Sequence, residues 1–297
     1  MIIGIDIGGT NFRIGALDEN NEINSFKKVY VKDSLVSGDV LLDISNIIKE
    51  NFSNIKIDAI SIGIPGTLDK DRQVIISVPN VEGMNNLKAV DYLQTIFNVP
   101  VYLEKDVNML INYDIYKNNI PTKGIITAIY YGTGIGNAIM IDGQLLIGKD
   151  GAATEVGHIP VDGCNLKCGC GNVGCIETVA GGKYLAKLNN EIFNDCHISE
   201  MFLKHSDDQL IIQFVDRMSM ALASELCILN PNKIIIGGGL INMKGFPIDL
   251  YMEKLKQHTR RPYKYESSDI IISSDDEKAG VIGACLFAKN KLKNKLI

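Results

Sequence analysis

Residues 2–17 read Ile-Ile-Gly-Ile-Asp-Ile-Gly-Gly-Thr-Asn-Phe-Arg-Ile-Gly-Ala-Leu, and they carry the strongest indication of the fold class. Its two apolar runs, Ile2 to Ile7 and Phe12 to Leu17, flank the turn Gly8-Gly9-Thr10, which predicts two strands joined as a hairpin. In dinucleotide-binding and P-loop motifs the glycines lead directly into a helix instead. Because glycine carries no side chain, the N–H groups of this turn and the Thr10 hydroxyl are candidates for holding an anion such as phosphate.

The same arrangement occurs again in the second half of the chain. An apolar run from Gly124 to Tyr131 leads into Gly132-Thr133-Gly134-Ile135-Gly136 and a further strand ending at Ile141. The repeat predicts two related lobes, 1–117 and 118–297, whose glycine turns could grip one polyphosphate. A polar, Pro-containing stretch around 117–122 is the predicted hinge. Each turn taken alone is more simply explained as an ordinary hairpin turn, and it is the occurrence of several such turns in order that favours the phosphate-binding role.

A third glycine motif follows a strand late in the sequence. The helical stretch Asp208 to Leu229 precedes the short apolar run Lys233 to Ile236, which leads into Gly237-Gly238-Gly239. These glycines are therefore predicted at the carboxyl end of a strand, where ligands collect in α/β sheets.

Composition favours a small-molecule partner. With 297 residues, 46% of them hydrophobic, the chain can bury one large core or two moderate ones. The formal net charge is -5, from 30 Lys plus Arg and 35 Asp plus Glu, with no like-charge block that predicts nucleic-acid or membrane binding. No run of 18 apolar residues occurs, and Asp6 interrupts the first apolar run, so we expect neither a membrane span nor a signal peptide, and a cytoplasmic location.

Four clustered side chains predict a structural zinc site. His158 is followed by Cys168, Cys170 and Cys175, and three thiolates with one imidazole form a common tetrahedral zinc set. Glycines at 169, 171 and 174 supply the tight turns that such close ligands require. A redox Cys-x-Cys motif and a disulfide are the alternatives, and Cys164 could replace one ligand. The other three cysteines, at 196, 227 and 285, are expected to be small buried hydrophobes.

Two aspartates are candidates for phosphoryl-transfer chemistry. Asp106 lies between a strand-like run, Val99 to Leu103, and the amphipathic segment Val107 to Tyr116, where a carboxylate could accept a hydroxyl proton. The alternative role of Asp106 is an ordinary helix N-cap. Asp6 directly precedes the first glycine turn and would suit a Mg²⁺ ion, or would be a turn-side aspartate.

Together these motifs resemble the ROK family of sugar kinases and repressors. The resemblance covers nearly the whole chain and rests on six segments: D-I-G-G-T at the start, K-D-V-N at 105–108, Y-G-T-G-I-G at 131–136, E-V-G-H at 155–158, the C-G-C-G-N-V-G-C-I-E run, and the late G-G-G. It implies an α/β fold of the actin-like (ribonuclease-H-like) class, with two lobes, an interlobe active-site cleft and MgATP as donor. It also implies that Asp106 is the catalytic base and that Glu155, His158 and Glu177 hold the sugar hydroxyls, with His158 binding zinc through its other ring nitrogen.

The remaining predicted site residues follow from the same resemblance. We assign ATP and Mg²⁺ binding to Asp6, Gly8, Gly9, Thr10, Asn11, Thr133, Gly134, Gly237, Gly238 and Gly239. Sugar binding is further assigned to Gly66, Asn80 and Lys105, beside Asp106 itself. The first glycine motif begins at residue 4, so no helix-turn-helix domain is expected ahead of it, and family precedent suggests a homodimer.

One departure from the family pattern motivates a substrate prediction. Most glucose and N-acetylmannosamine kinases of the family have Asn-Asp at the base, whereas this chain has Lys105-Asp106. Together with I-I-S-V-P-N at 75–80 and R-R-P at 260–262, this pair resembles D-allose kinases. The predicted reaction is therefore transfer of the γ-phosphate of ATP to the 6-hydroxyl of D-allose. The alternatives are a glucokinase, N-acetylmannosamine kinase or fructokinase, a non-catalytic sugar sensor, or a metal-binding interaction module.

Overall fold

The structure, a computed structural model, describes residues 1–79, 81–262 and 265–294. Its strands are β1 (Ile2–Ile7), β2 (Asn11–Leu17), β3 (Ile23–Tyr30), β4 (Ala59–Ile64), β5 (Thr67–Leu68), β6 (Ile75–Ser77), β7 (Val101–Lys105), β8 (Ile125–Tyr131), β9 (Ile135–Ile141), β10 (Gln144–Leu145), β11 (Lys233–Gly237) and β12 (Ile270–Ile272). Its helices are α1 (Val31–Ser34), α2 (Val40–Phe52), α3 (Ala89–Phe97), α4 (Asp106–Lys117), α5 (Glu177–Ala180), α6 (Gly182–Glu191), α7 (Met201–His205), α8 (Gln209–Leu229), α9 (Ile248–His258) and α10 (Ala279–Asn294).

The chain divides into two compact units. Unit 1 contains residues 1–121, 147–153 and 276–297, and unit 2 contains residues 122–146 and 154–275. This differs from the predicted division at 117/118, because α10 packs against α4 and β1 and therefore belongs to unit 1 although it ends the chain. Small residues allow the close packing, since a Cβ on Gly283 would lie 2.0 Å from the carbonyl oxygen of Met109.

Unit 1 is built on a five-stranded sheet in the order β3-β2-β1-β4-β7. The hairpin β1–β2 and the pair β2–β3 are antiparallel, whereas β1, β4 and β7 are parallel. Alternate residues of β1 point to opposite faces. Ile5 lies in a buried cluster with Ile44 of α2 and Leu93 of α3, while Gly4 lies against Val281 of α10. Helices thus cover both faces of the sheet.

Unit 2 repeats this topology with different residues. Its sheet has the order β10-β9-β8-β11-β12, again with two antiparallel pairs followed by parallel strands. Its core joins Ile129 of β8 and Ile236 of β11 to Phe214 and Met218 of α8 and Tyr251 of α9. The repeat inferred from the two Gly/Thr turns is therefore a repeat of the whole sheet.

Among the described residues, no helix is both long enough and apolar enough to cross a membrane.

Candidate active site

The first glycine turn forms the exposed tip of the β1–β2 hairpin in unit 1. Within it, the N–H of Gly8 donates to the carbonyl oxygen of Asn11 at 2.8 Å, and the N–H of Val31 donates to that of Thr10 at 2.9 Å. Gly9 and Thr10 are exposed. The predicted phosphate-binding groups of this hairpin are thus held on a fixed turn and accessible from solvent.

Asp6 is paired with Arg13, a residue that the sequence reasoning missed. The two residues face each other across β1 and β2, and Arg13 Nη1 lies 2.9 Å from Asp6 Oδ2. Burial raises the pKa of Asp6, while the charge and hydrogen bond of Arg13 act in the opposite direction. The hairpin register contained the signal, because a turn centred on residues 9 and 10 places position 13 opposite position 6.

Asp106 is the first residue of α4 rather than its N-cap. Lys105 occupies the N-cap position and makes no side-chain capping bond, while Asp106 Oδ1 accepts from the N–H of Val107 at 2.8 Å. Burial and the charge of Asp6 raise the pKa of Asp106 to about 6, and the Val107 N–H and the charge of Lys105 oppose this shift. Asp106 is thus a carboxylate at a strand-to-helix corner, beside the aspartate of the first hairpin.

The other predicted sugar-binding residues of unit 1 are Lys105, Gly66 and Asn80, and the first two differ in their surroundings. Lys105 is 8% exposed and its Nζ donates to the carbonyl oxygen of Ala153 at 3.2 Å. Gly66 has no room for a side chain, because a Cβ there would lie 2.3 Å from the carbonyl oxygen of Ser77. Asn80 lies outside the described residues.

In unit 2 the second and third glycine motifs lie together. The N–H of Gly132 donates to the carbonyl oxygen of Gly134 at 3.0 Å and leaves Thr133 exposed at the tip between β8 and β9. Gly238 has φ +94°, and a Cβ on it would lie 2.4 Å from the carbonyl oxygen of Tyr131 at the end of β8. Only glycine permits this approach, which places the exposed Gly239 beside the second turn.

The predicted zinc ligands converge in unit 2. Ligand atoms of His158, Cys168, Cys170 and Cys175 all lie within 4.8 Å of one another. Cys168 Sγ lies 3.6 Å from His158 Nδ1, and the sulfurs of Cys170 and Cys175 are 3.7 Å apart. Cys164 does not join this group.

The other cysteines vary in their surroundings. Cys164 Sγ lies 3.5 Å from the hydroxyl oxygen of Thr178. Of the three cysteines expected to be buried, Cys285 is buried, Cys196 is partly exposed and Cys227 is exposed. The prediction of burial was thus wrong for Cys227. Helical periodicity places this residue on the outer face of α8, next to the exposed Ile228.

Glu177 connects the metal-ligand candidates to the second glycine turn. Its Oε1 accepts from Cys168 Sγ at 3.0 Å and lies 3.7 Å from His158 Nδ1. A Cβ on Gly134 would lie 2.4 Å from Glu177 Oε2. The other ring nitrogen of His158, Nε2, lies 3.7 Å from Glu155 Oε2. Two of the three predicted sugar-binding residues of unit 2, Glu155 and Glu177, therefore flank the imidazole of the third, His158, with Nε2 toward Glu155 and Nδ1 toward Glu177 and the Cys168 thiol.

Comparison with known proteins agrees with this architecture. The chain is 29% identical to a glucokinase of Thermotoga maritima over 314 aligned residues, covering 98% of each chain. It is 25% identical to an N-acetyl-D-glucosamine kinase of Pectobacterium atrosepticum over 260 aligned residues, covering 82% of this chain and 84% of that one. The crystal structure of a ROK family glucokinase from Streptomyces griseus in complex with glucose and AMPPNP superposes with a TM-score of 0.78 at 24% identity, covering 97% of this chain and 99% of that chain.

The fold of that structure matches the predicted one, so the two-lobed α/β kinase fold is confirmed. The sequence profile of the ROK family matches residues 2–291, and the chain belongs to the ROK family.

Proposed function

We propose that this protein transfers the γ-phosphoryl group of MgATP to the primary hydroxyl at C6 of a free hexose. One observation carries the proposal: a carboxylate with a pKa raised to about 6, Asp106, lies at the corner between β7 and α4, in the same unit as the first Gly-Gly-Thr turn. A group that gains a proton near pH 6 is ionised at neutral pH and still basic enough to accept a hydroxyl proton. A non-catalytic sensor would have no need for such a base.

The glycine turns account for the phosphate donor. Phosphoryl transfer depends on positioning and on stabilising charge that develops on the phosphate oxygens. In unit 1 the donors are the N–H groups of Gly9 and Thr10 and the Thr10 hydroxyl, since the Gly8 N–H already donates to the Asn11 carbonyl oxygen. In unit 2 they are the Thr133–Gly134 turn with Gly238 and Gly239. The Asp6 carboxylate offers the oxygen ligand that Mg²⁺ prefers, and the ion would neutralise phosphate charge when bound. Arg13 would keep Asp6 oriented toward that role.

Recognition of the sugar is assigned mainly to Glu155, His158 and Glu177. Carboxylates accept hydrogen bonds from hydroxyl groups. The His158 Nε2 atom, which faces Glu155, is also of a kind that forms hydrogen bonds with hydroxyl groups. When a metal binds one ring nitrogen of a histidine, the proton lies on the other nitrogen, so the tautomer is defined. The imidazole would therefore join the metal site to the sugar site.

The four-ligand cluster is proposed as a structural zinc site. With Zn–S near 2.3 Å and Zn–N near 2.0 Å, a tetrahedron separates two thiolates by about 3.8 Å and a thiolate from an imidazole nitrogen by about 3.5 Å. The observed separations of 3.7 Å and 3.6 Å support this fit. Four protein ligands close the shell, so the ion would stabilise the loop of residues 158–175 and take no part in the reaction. Binding would require loss of the Cys168 thiol proton, which is hydrogen-bonded to Glu177 Oε1.

The proposal also concerns which hexose is the substrate. Similarity to a glucokinase and to an N-acetyl-D-glucosamine kinase favours glucose-configured sugars. D-Allose, which differs from glucose at one hydroxyl, is favoured by Lys105 at the position next to the base. The similarity to known kinases and the presence of Lys105 thus favour different sugars. The Lys105 ammonium also donates a hydrogen bond to the Ala153 carbonyl oxygen.

A coupled assay of ADP release over a panel of hexoses tests the proposal. We expect turnover with at least one of glucose, allose and N-acetylated hexosamines, and loss of at least about a hundredfold in Asp106→Asn with sugar binding largely kept. Sugar binding by calorimetry without ADP release from the unchanged protein would establish the sensor instead.

The same panel decides the sugar. A kcat/KM for allose at least about tenfold above that for glucose needs only about 1.4 kcal/mol of differential transition-state binding. Equal values would end the allose assignment. Lys105→Asn, which restores the commoner Asn-Asp pair, should narrow an allose preference if Lys105 causes it.

A further inference from the structure

Glu104 lies at the centre of a buried polar network that the proposed chemistry does not use. The residue is 1% exposed, and its Oε1 accepts from the backbone N–H of Lys105 at 2.9 Å and from Asn108 Nδ2 at 3.0 Å. Arg72 Nε lies 3.0 Å from the same oxygen and 3.1 Å from Oε2. A carboxylate buried to this degree is costly unless charge and hydrogen bonds compensate it, and here three donors do so.

Arg72 extends this network to two other segments of unit 1. Its Nη1 donates to the carbonyl oxygen of Asp69 and its Nη2 to that of Gly151, each at 3.2 Å. Arg72 has φ 56°, a conformation that costs a residue with a side chain about 1–2 kcal/mol. Gly151 has φ +77°, a conformation that favours glycine, and a Cβ there would lie 2.5 Å from Arg72 Nη1. The Arg72 guanidinium thus belongs to a residue with a strained backbone and lies against a glycine, Gly151.

The network has a direct relation to the proposed base. Lys105 is the N-cap of α4, and Asn108 lies in its first turn. The Glu104 carboxylate therefore holds the backbone before Asp106 and the side chain two residues after it. A displacement of about 1 Å in a catalytic group can cost about a hundredfold in rate, so rigidity of this corner matters to the reaction.

We propose that Glu104 and Arg72 are positioning residues, Glu104 fixing the strand-to-helix corner that carries Asp106 and Arg72 fixing Glu104. This inference rests on the proposed role of Asp106. It assigns a function to two side chains that are not among the proposed sugar-binding and nucleotide-binding residues. It also explains why a charged pair is kept in a site where apolar residues of similar volume could pack.

Three variants separate positioning from a purely structural role. Glu104→Ala leaves the Lys105 N–H without its acceptor, and we expect kcat to fall at least about tenfold while KM for ATP changes less than about twofold. Glu104→Gln retains an acceptor oxygen for this N–H and should recover part of the lost kcat. The double change Arg72→Met with Glu104→Met removes both charges together, which commonly restores the stability lost when one partner of a buried pair is removed.

The double variant gives the deciding measurement. We expect its thermal midpoint to return toward that of the unchanged protein while kcat stays as low as in Glu104→Ala. Recovery of both quantities would show that the pair acts only on stability, and so would an unchanged kcat in folded Glu104→Ala. Failure of the proposed function has a different signature: the unchanged protein would release no ADP with any hexose, or Asp106→Asn would keep its turnover, and either result would remove this inference as well.

Discussion

The Nζ atom of Lys105 lies 3.2 Å from the carbonyl oxygen of Ala153, to which it donates a hydrogen bond. An ammonium group carries three donors, and this bond uses one of them. The residue that distinguishes this chain from the commoner Asn-Asp pattern therefore has a structural contact in addition to any contact with sugar.

Loss of this contact should be measurable as stability. We expect Lys105→Asn to lower the free energy of unfolding by about 1 kcal/mol, because the shorter amide cannot reach the Ala153 carbonyl. Urea denaturation would measure the change, with the exposed Lys123→Asn as the matched control. Equal stability of the two variants would show that the bond to Ala153 contributes nothing.

The pH profile should report the ionisation of Asp106. A base whose pKa is raised to about 6 is protonated below that pH, so kcat/KM should fall about tenfold per pH unit on the acidic side of pH 6. Because the charge of Asp6 contributes to the raised pKa, Asp6→Asn should move the acidic limb to lower pH. The position of the limb is the readout, since the level of activity also reflects phosphate binding. A limb that stays in place would show that Asp106 is not the titrating group or does not sense Asp6.

The cysteine cluster should hold one zinc ion per chain. We expect Cys170→Ser to lower both the zinc content, measured by elemental analysis, and the thermal midpoint, because one of four ligands is lost. Cys164→Ser is the matched control, since its sulfur lies against Thr178 outside the cluster. Purified protein without zinc, or a Cys170→Ser variant with full metal content, would contradict the site.

Glu225 should make the stability of the protein depend on pH. Its carboxylate is buried between α8 and the β8–β9 hairpin, where it accepts from the Thr127 hydroxyl and from Asn137 Nδ2. Burial raises the pKa of Glu225 to about 7 from 4.5, with these hydrogen bonds acting against the shift. A folded-state pKa above the unfolded value means that the contribution is complete below about pH 4.5 and is lost as pH rises through 7.

The size of this effect follows from the shift. A rise of the Glu225 pKa from 4.5 to about 7 corresponds to about 3 kcal/mol, and Glu225→Gln, which keeps the shape without the charge, should remove that dependence on pH. The test compares the free energy of unfolding of the two proteins at several pH values between 5 and 8. A difference between them that does not change with pH would contradict the raised pKa.

Local sequence patterns predicted the elements that frame the site. The run Ile2 to Ile7 is β1, and the stretch Asp208 to Leu229 is α8 with Asp208 as its N-cap, whose carboxylate accepts from the N–H of Leu210. Periodicity and capping act within a few residues, so they can be recognised without knowing the fold. Such patterns carry no information on packing between distant segments, and the predicted division at 117/118 therefore did not place α10 in unit 1.

Local spacing along the sequence predicted that two glycine hairpins repeat, that four candidate zinc ligands cluster in one short segment, and that an aspartate lies at a strand-to-helix corner. Packing between distant segments brings Arg72 to Glu104, 32 positions away, returns α10 to cover β1, and places Glu177 beside both Cys168 and the second glycine turn. The reason is physical: spacing along the chain fixes hydrogen bonds and faces within one element, whereas the partner of a buried charge is set by how distant elements pack.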